Sequence, residues 1–430
     1  MSTPVRTRLM PGVWLNAIQT RKFKSSYWSA LLMPPLGEET AALNALLPRV
    51  LYQGTARYPS QQRLSEALED LYGGVVSPVV AKLGEVQAVG FHGTFLDDAY
   101  AWEGESIAAK AAELMGDLLL RPATKNGRIR TDYLERERDN LIAEQRAQSN
   151  DKMRYAALRL NQEMCQGEAY AVDRLGSEET ARRIRTPILH RHYQWVLSAS
   201  PVELYYCGST PVDRIAEYWR EALMDLPRMG EFLLNETPLH PAPEQMRHVV
   251  QREDVTQAKL AIGLATATRL DDPLYPAMTV ANALLGGAPT SMLFRHVREE
   301  QSLCYYAMST LDPHKGLMGI HAGVAPQRVE QAKKGIFAQL EALQGGEYTQ
   351  KELDGAKAHL CNQLRSSLDT HGGLYGFYTD QTQSRHPVTL EEQISLVEQV
   401  SRAEVEEAAA RLQPDTVYLL TGEEAEHGEA

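Results

Sequence analysis

Arg298 and Tyr305 are the residues of this 430-residue chain whose types and spacing most suggest chemistry. Both lie in the stretch from Leu284 to Ser309, which reads LLGGAPTSMLFRHVREEQSLCYYAMS. A guanidinium and a phenol that are held rigidly can both donate hydrogen bonds to a peptide carbonyl or a carboxylate. The competing interpretation is structural, with the arginine on a solvated helix face and the tyrosine packed in a sheet.

The sequence around these two residues predicts a tight helix-to-strand corner. The Gly286-Gly287 pair ends an apolar helical run, since glycine readily takes the left-handed backbone that closes a helix. We expect Thr290 or Ser291 to cap a second helix. That helix should end at Gln301-Ser302, after which Leu303–Ser309 alternates as a strand. Arg298 and Tyr305 would then flank the corner.

No other local pattern predicts catalysis or metal binding. His190 and His192 are two positions apart, so on a helix they point to different faces. The four cysteines contain no CxxC pair and are predicted to be reduced, mostly buried thiols: Cys165, Cys207, Cys304 and Cys361. The glycine pair at 286–287 is not followed by Lys-Ser/Thr, so it does not predict a phosphate-binding loop.

Composition restricts the class of protein. An apolar fraction of 43% and a charged fraction of 23% are typical of a globular protein. A net charge of -12 argues against nucleic-acid binding. No apolar run approaches the ~20 residues of a membrane span. The first residues, MSTPVRTRLMPGVWL, lack an apolar signal core, so we expect a cytoplasmic protein.

The order of predicted elements indicates a doubled α+β fold. Residues 226–248 are rich in proline and are predicted to link an N-terminal domain, 1–225, to a C-terminal domain, 249–430. Each half shows the order strand-helix-helix-strand-strand-helix, which predicts a largely antiparallel sheet with helices on one face. Within the first half, Thr131–Glu163 is strongly helical. In the second, a long helical region from Gln350 is interrupted by glycines at HGGLYGF.

The residues that carry these patterns resemble the insulinase/pitrilysin metallopeptidases, also called inverzincins. The corner GGAPTSMLFRHVREEQSLCYYAMS is similar to the family's glycine pair, Ser-x-Leu-Phe helix and Arg-Glu-x-x-Gly-Leu-x-Tyr segment, with Ser302 at the usual glycine. ETAALNALLPRVLYQGTARYP is similar to the family's zinc helix and the turn after it, and YAVDRLGSEETARRI and ELYYCGS also match. The resemblance spans nearly the whole chain and implies two similar α+β domains that face each other across a chamber.

The zinc motif of that family is missing here. In the family, H-x-x-E-H supplies two zinc-binding histidines and a glutamate base. Those positions align with Ala45, Pro48 and Arg49. The family's third ligand aligns with Glu144, with Glu137 upstream, and one carboxylate cannot hold zinc without the imidazoles. We therefore expect no metal in this chain and a Glu144 that is solvated or paired with an arginine.

The resemblance implies the non-catalytic, substrate-binding subunit of a heterodimeric zinc peptidase. The partner subunit would carry H-x-x-E-H and the zinc, and Arg298 and Tyr305 would reach its active site and the peptide substrate. Within the family, the chain is most similar to histidine-lacking bacterial members, including those associated with modification of elongation factor P.

Three other interpretations stay open. One is a stand-alone, non-enzymatic peptide-binding or scaffolding protein. A weaker one is an active peptidase with an unrecognised metal site. A homodimer of the isolated chain is also compatible with the sequence. A neighbouring reading frame with H-x-x-E-H would favour the subunit interpretation.

Overall fold

Two separate β-sheets organise the chain in the computed structural model, which describes residues 4–228, 230 and 237–422. The described residues divide into two units, one from residues 4–147, 172–228 and 230, and one from residues 148–171 and 237–422. Sequence analysis assigned residues 148–171 to the N-terminal domain, whereas the structure groups them with the second unit. Part of the linker predicted at 226–248, namely Met229 and residues 231–236, lies outside the described residues.

The first unit is built on a six-stranded sheet. The six strands of this sheet are β1 Val5–Met10, β2 Val13–Gln19, β3 Ser25–Leu32, β4 Val75–Leu83, β5 Val86–Leu96 and β8 Val202–Gly208. A separate two-stranded ribbon consists of β6 Thr124–Lys125 and β7 Arg128–Ile129. The helices of the unit are α1 Ala41–Leu51, α2 Gln61–Asp70, α3 Ile107–Leu120, α4 Thr131–Ala147, α6 Glu178–Arg183, α7 Thr186–Ala199 and α8 Val212–Ala222. The sheet order is β1-β2-β8-β3-β5-β4, and only the β2–β8 pair is parallel.

The second unit is built on a five-stranded sheet. Its strands are β9 Arg247–Arg252, β10 Ala258–Ala265, β11 Cys304–Asp312, β12 Leu317–Val324 and β13 Gln413–Thr421. Its helices are α5 Lys152–Met164, α9 Tyr275–Asn282, α10 Val329–Gln344, α11 Gln350–Ser367, α12 His371–Gln381, α13 Leu390–Gln399 and α14 Arg402–Ala410, and Ala283–Gly287 and Leu293–Glu300 are π-helical. The sheet order is β11-β12-β10-β13-β9, and only the β13–β9 pair is parallel.

The two sheets repeat one topology, which confirms the predicted α+β class with largely antiparallel sheets. In chain order, β3, α1, α2, β4, β5 and α3 of the first unit correspond to β10, α9, the second π segment, β11, β12 and α10 of the second. In the first sheet the parallel pair β8–β2 follows β3 on the side opposite β5, and in the second the parallel pair β13–β9 follows β10 on the side opposite β12. The prediction succeeded because the hydrophobic periods of strands and helices differ and both can be read locally.

Alternation along the strands decides which side chains enter each core. In the first unit, Trp28 lies with its ring centroid 5.8 Å from that of Trp219 and 4.8 Å from that of Tyr206. In the second, Leu260 and Ile262 face the helices, while Ala261 points to the opposite face of the sheet and packs against α5. The second sheet is thus covered by α5 on the face that its other helices leave open.

The helical stretch predicted at Thr131–Glu163 is helical, but it consists of two helices that belong to different units. The chain leaves α4 through a 3₁₀ turn, and the Asp151 side chain caps α5 by accepting hydrogen bonds from the backbone N–H groups of Met153 and Arg154 at 3.2 and 3.1 Å. Ser149-Asn150-Asp151 contains the residue types that favour such a cap.

The predicted interruption at HGGLYGF is wrong, since His371–Gln381 is a helix. The chain breaks just before it, where the Thr370 side chain accepts a hydrogen bond from the backbone N–H of Gly373. None of the described helices is both long enough and apolar enough to span a membrane.

Candidate functional site

The predicted corner between helix and strand is present in the second unit. α9 continues as the π-helical segment Ala283–Gly287, the chain turns, and a second π-helical segment, Leu293–Glu300, leads into β11. Gly286 lies against β11, because a Cβ atom there would be 2.5 Å from the backbone nitrogen of Ser309. The Ser309 hydroxyl donates to Asn282 Oδ1 at 2.7 Å. These contacts tie the first helix directly to the strand that carries Tyr305.

The predicted caps of the second helix are not formed. Met292 is already helical and Ser291 directly precedes it, but no side chain caps the helix. The Ser291 hydroxyl is buried without a hydrogen-bond partner among the described residues. The helix starts here because Met292 and Leu293 are buried in the core, so packing outweighs the capping preference.

Ser302 makes the turn between the helix and the strand. Its φ is +52°, in the left-handed region that glycine occupies without steric cost. The Leu303 N–H donates to the carbonyl of Val297 at 3.0 Å, and Arg328 Nη1 donates to the Ser302 carbonyl at 2.9 Å. Serine therefore takes here a backbone conformation that glycine adopts more readily than any other residue.

Tyr305 projects from an irregular point of an edge strand. In the pairing of β11 with β12, Cys304 lies opposite Val324 and Tyr306 opposite Gly323, so Tyr305 is the extra residue of a β-bulge. Bulges on sheet edges re-aim side chains. The Tyr305 residue is 65% exposed, which contradicts the interpretation of a tyrosine packed in the sheet.

Arg298 lies on the helical side of the same corner. Its guanidinium carbon is 4.8 Å from the centroid of the Phe294 ring, and its Nε is 3.4 Å from Glu299 Oε1. The side chain is 41% exposed. The ring supports one face of the guanidinium, while N–H donors at its rim can reach a carbonyl or carboxylate.

The positions of the missing zinc motif are occupied by groups that disfavour a metal ion. Ala45 and Pro48 are buried in α1, and Pro48 lies inside the helix. Arg49 Nη2 lies 2.5 Å from Glu144 Oε2, so the carboxylate that aligns with the third zinc ligand is paired with an arginine. A guanidinium at this point repels a divalent cation.

Glu137, about two helical turns upstream of Glu144, is held in a separate polar network. It accepts hydrogen bonds from Gln53 Nε2 at 2.9 Å, from Asn140 Nδ2 at 3.2 Å and from Arg136 Nε at 3.3 Å. Its side chain is nearly buried, and these donors compensate its charge. Both carboxylates of α4 that sequence analysis considered are thus engaged with protein donors.

A buried charged cluster in the second unit was missed by sequence analysis. His240 Nδ1 lies 2.6 Å from Glu168 Oε1, and His240 Nε2 lies 3.0 Å from Asp415 Oδ2. The fully buried ammonium of Lys315 lies 2.5 Å from Glu168 Oε2. Cys165 Sγ is 3.8 Å from His240 Nδ1. The signal is weak in the sequence because His240 lies in the proline-rich segment predicted to be a linker.

The charges of this cluster stabilise one another. Burial alone lowers the pKa of His240, but hydrogen bonds to Asp415 and Glu168 outweigh it, so the pKa is raised. Burial alone raises the pKa of Glu168 and that of Asp415, and their bonds to the cationic groups outweigh it and lower both. An imidazolium and an ammonium therefore balance two carboxylates.

The same cluster contains three groups of the types that bind metal ions. One ligand atom each from Cys165, Glu168 and His240 lies within 4.8 Å of the others. However, both ring nitrogens of His240 contact carboxylates and Lys315 neutralises Glu168. A cation would have to displace protons from His240 and approach a buried ammonium, so the contacts favour an ion-pair network over a metal centre.

Comparisons with known proteins agree with the missing motif. Residues 187–360 match the family profile described as the peptidase M16 inactive domain. The chain is 31% identical over 415 residues to a probable inactive metalloprotease, YmfF, of Bacillus subtilis, and the match covers 96% of each protein.

Solved structures share the fold over nearly all of the chain. A conserved protein from Enterococcus faecalis V583 has a TM-score of 0.89 and 27% identity, covering 98% of this chain and 99% of that one. A chain of complex III2 from Candida albicans has a TM-score of 0.73 and 15% identity, covering 97% and 95%. The chain therefore belongs to the M16 family of insulinase-like metallopeptidases, as an inactive member that lacks the zinc-binding triplet.

Proposed function

We propose that this chain is the non-catalytic, substrate-binding subunit of a two-chain zinc peptidase. The observation that carries the proposal is the exposed Tyr305 on a β-bulge, in a chain whose zinc positions are lost. Arg298 lies in the helix that leads into the same strand. A tyrosine that is held out of the sheet at an edge contributes little to folding. Its hydroxyl is available to a group outside this chain.

The division of labour follows from the chemistry of peptide hydrolysis. In the proposed pair, the partner's H-x-x-E-H motif binds zinc and supplies the glutamate that activates water. Arg298 and Tyr305 would add hydrogen-bond donors that orient the peptide carbonyl and stabilise the oxyanion that develops on it. This chain would bind no zinc of its own, because Arg49 pairs with the remaining Glu144 carboxylate.

Assembly with a second chain of the same family is compatible with the fold. One structure that shares it is a chain of complex III2 from Candida albicans. The other function predicted from the sequence, a stand-alone peptide-binding or scaffolding protein, would use the same exposed edge without any partner. The subunit function predicts peptide hydrolysis only when both chains are present, whereas the stand-alone function predicts no contribution of this chain to hydrolysis.

The test is peptide hydrolysis by this chain mixed with an H-x-x-E-H subunit from its own host. We expect activity only from the mixture and none when the partner's zinc-site glutamate is replaced. Tyr305→Phe should lower kcat about a hundredfold, as is typical for the loss of one oxyanion donor, with a smaller effect on KM. Arg298→Ala should also raise KM, because a guanidinium can bind the carbonyl or carboxylate of the ground state.

The matched control is Tyr306→Phe. Tyr306 is the next residue of the same strand, but it is half-buried and lies near Lys259, whose ammonium is 5.5 Å from the ring centroid. This variant should keep full activity. Full activity of both Tyr305→Phe and Arg298→Ala would show that the two residues are structural. Peptide binding by the chain alone that is as tight as binding by the mixture would favour the stand-alone function.

A further inference from the structure

A second exposed surface lies in the first unit, remote in sequence from the Arg298–Tyr305 corner. It consists of the large side chains of Tyr72, Val75, Tyr100 and Trp102, which are 45%, 61%, 51% and 73% exposed. We refer to these four residues as the aromatic patch. They come from two segments, the turn after α2 with the first residue of β4, and the 3₁₀ turns between β5 and α3.

Hydrogen bonds hold the two segments of the aromatic patch together. The Tyr72 hydroxyl accepts from the backbone N–H of Trp102 at 3.2 Å and donates to Glu105 Oε2 at 3.2 Å. Glu105 in turn pairs with Lys110. The exposed indole therefore extends from a backbone that is fixed by a tyrosine from the neighbouring segment.

The backbone of the aromatic patch is strained. Tyr72 and Glu103 have φ values of +59° and +53°, two of the five positive values found for non-glycine residues among those described. The left-handed region costs such residues roughly 1–2 kcal/mol each, and strain of this kind is found preferentially at functional sites. A positive φ is unusual for a bulky residue such as tyrosine, because the Cβ atom makes this backbone conformation sterically unfavourable. The strained turns keep the ring of Tyr72 and the indole of Trp102 at the surface.

The rim of the aromatic patch is acidic. Asp70 and Glu103 are exposed, and Glu105 is half-exposed beside them. Asp70 is near enough to Lys110 to contribute, after the hydrogen bond to Glu105, to raising the pKa of that lysine. With three carboxylates and one ammonium, the rim favours a cationic ligand and repels nucleic acid and anionic lipid surfaces.

We propose that the aromatic patch docks a basic segment of another protein, in which lysine or arginine residues flank an apolar side chain. The apolar side chain would cover Trp102 and Val75, and the cations would lie against the acidic rim and the face of the indole. Exposed aromatic residues that act as anchors in this way dominate the affinity of many interfaces. The proposal goes beyond the subunit function and uses none of its residues.

The test measures binding of a fluorescein-labelled octapeptide that has two adjacent leucines between pairs of lysines. Two matched peptides replace all lysines by glutamate or both leucines by serine. We expect the first peptide to bind the full chain and to weaken as salt is raised, and the two matched peptides to bind at least about tenfold more weakly.

Variants of the chain locate the binding. Trp102→Ala should weaken the first peptide about tenfold or more, because it removes an exposed anchor. Glu103→Asn should weaken it less and reduce its salt dependence, and asparagine tolerates the left-handed backbone. The control is Trp195→Ala, which removes another exposed tryptophan, on α7.

Trp102→Ala should leave the unfolding midpoint of the chain unchanged, since the side chain is mostly exposed. The proposal is overturned if no peptide binds, if the lysine and glutamate peptides bind equally, or if Trp102→Ala and Trp195→Ala have the same effect. The Glu103→Asn result keeps the test decisive even if Trp102→Ala were to fold poorly.

Discussion

His240→Gln should destabilise the second unit by about 3 kcal/mol near pH 6. The imidazolium contacts Glu168 at 2.6 Å and Asp415 at 3.0 Å, and each such charged hydrogen bond contributes about 1.5–3 kcal/mol. Glutamine can keep one of these bonds but carries no charge. Of the described cations, Glu168 would keep Lys315, and Asp415 would keep only the partly exposed Arg247 at 3.5 Å. Removal of one partner from a buried ion pair typically costs about 3–5 kcal/mol.

The size of this effect should depend on pH in a defined direction. The pKa of His240 is raised in the folded state. Its ionisation therefore stabilises the fold fully below the unfolded value of about 6.5 and loses this contribution as pH rises through the folded value. The pKa values of Glu168 and Asp415 are lowered. Their contribution is present above about pH 4.5 and is lost as pH falls through their folded values.

The measurement is urea unfolding, followed by far-UV circular dichroism at pH 5.5 and at pH 8.5. All five tryptophans lie in the first unit, so indole fluorescence follows that unit and separates its transition from that of the second. The control is His248→Gln, at an exposed histidine of β9. A loss below about 0.5 kcal/mol at pH 5.5, within the range of ordinary surface substitutions, would refute the ion-pair account. So would an equal loss at both pH values.

Ser302→Gly should stabilise the chain by up to about 1 kcal/mol, because relief of the left-handed strain exceeds the entropy that glycine adds to the unfolded chain. Thermal unfolding checks this, with Ser395→Gly in the middle of α13 as a control that should destabilise, and a loss of stability in Ser302→Gly would contradict it. The chain purified without added zinc should contain far less than one zinc ion per molecule by elemental analysis, because Arg49 pairs with Glu144. One tightly held zinc per chain that disappears in Glu144→Ala would disprove this.

Local sequence patterns were sufficient for the repeated order of strands and helices. The start of α2 shows one such pattern, because serine favours helix caps and the Ser60 side chain accepts a hydrogen bond from the Arg63 N–H. The loss of the zinc triplet could be recognised from the sequence, because the residues at three positions of fixed spacing can neither bind zinc nor act as its general base. For Glu144, sequence analysis left two environments open, and the structure shows the pair with Arg49.

Hydrogen bonding between distant segments decided what local patterns could not. Tyr305 occupies an ordinary position in an alternating stretch, and only the pairing of β11 with β12 makes it the exposed residue of a bulge. In the helical stretch after Thr131, cap-favouring residues mark the break at 149–151, but the division of the two helices between two units depends on the apolar faces that they bury.

The sequence by itself determined the fold class, the corner that carries Arg298 and Tyr305, and the loss of the zinc motif, because each depends on neighbouring residues or fixed spacing. Only the tertiary structure placed His240 between Glu168 and Asp415, which are 72 and 175 positions away in the chain. A polar residue in a proline-rich segment has no local signal of burial. Its charge state depends on groups that come together only when the chain folds.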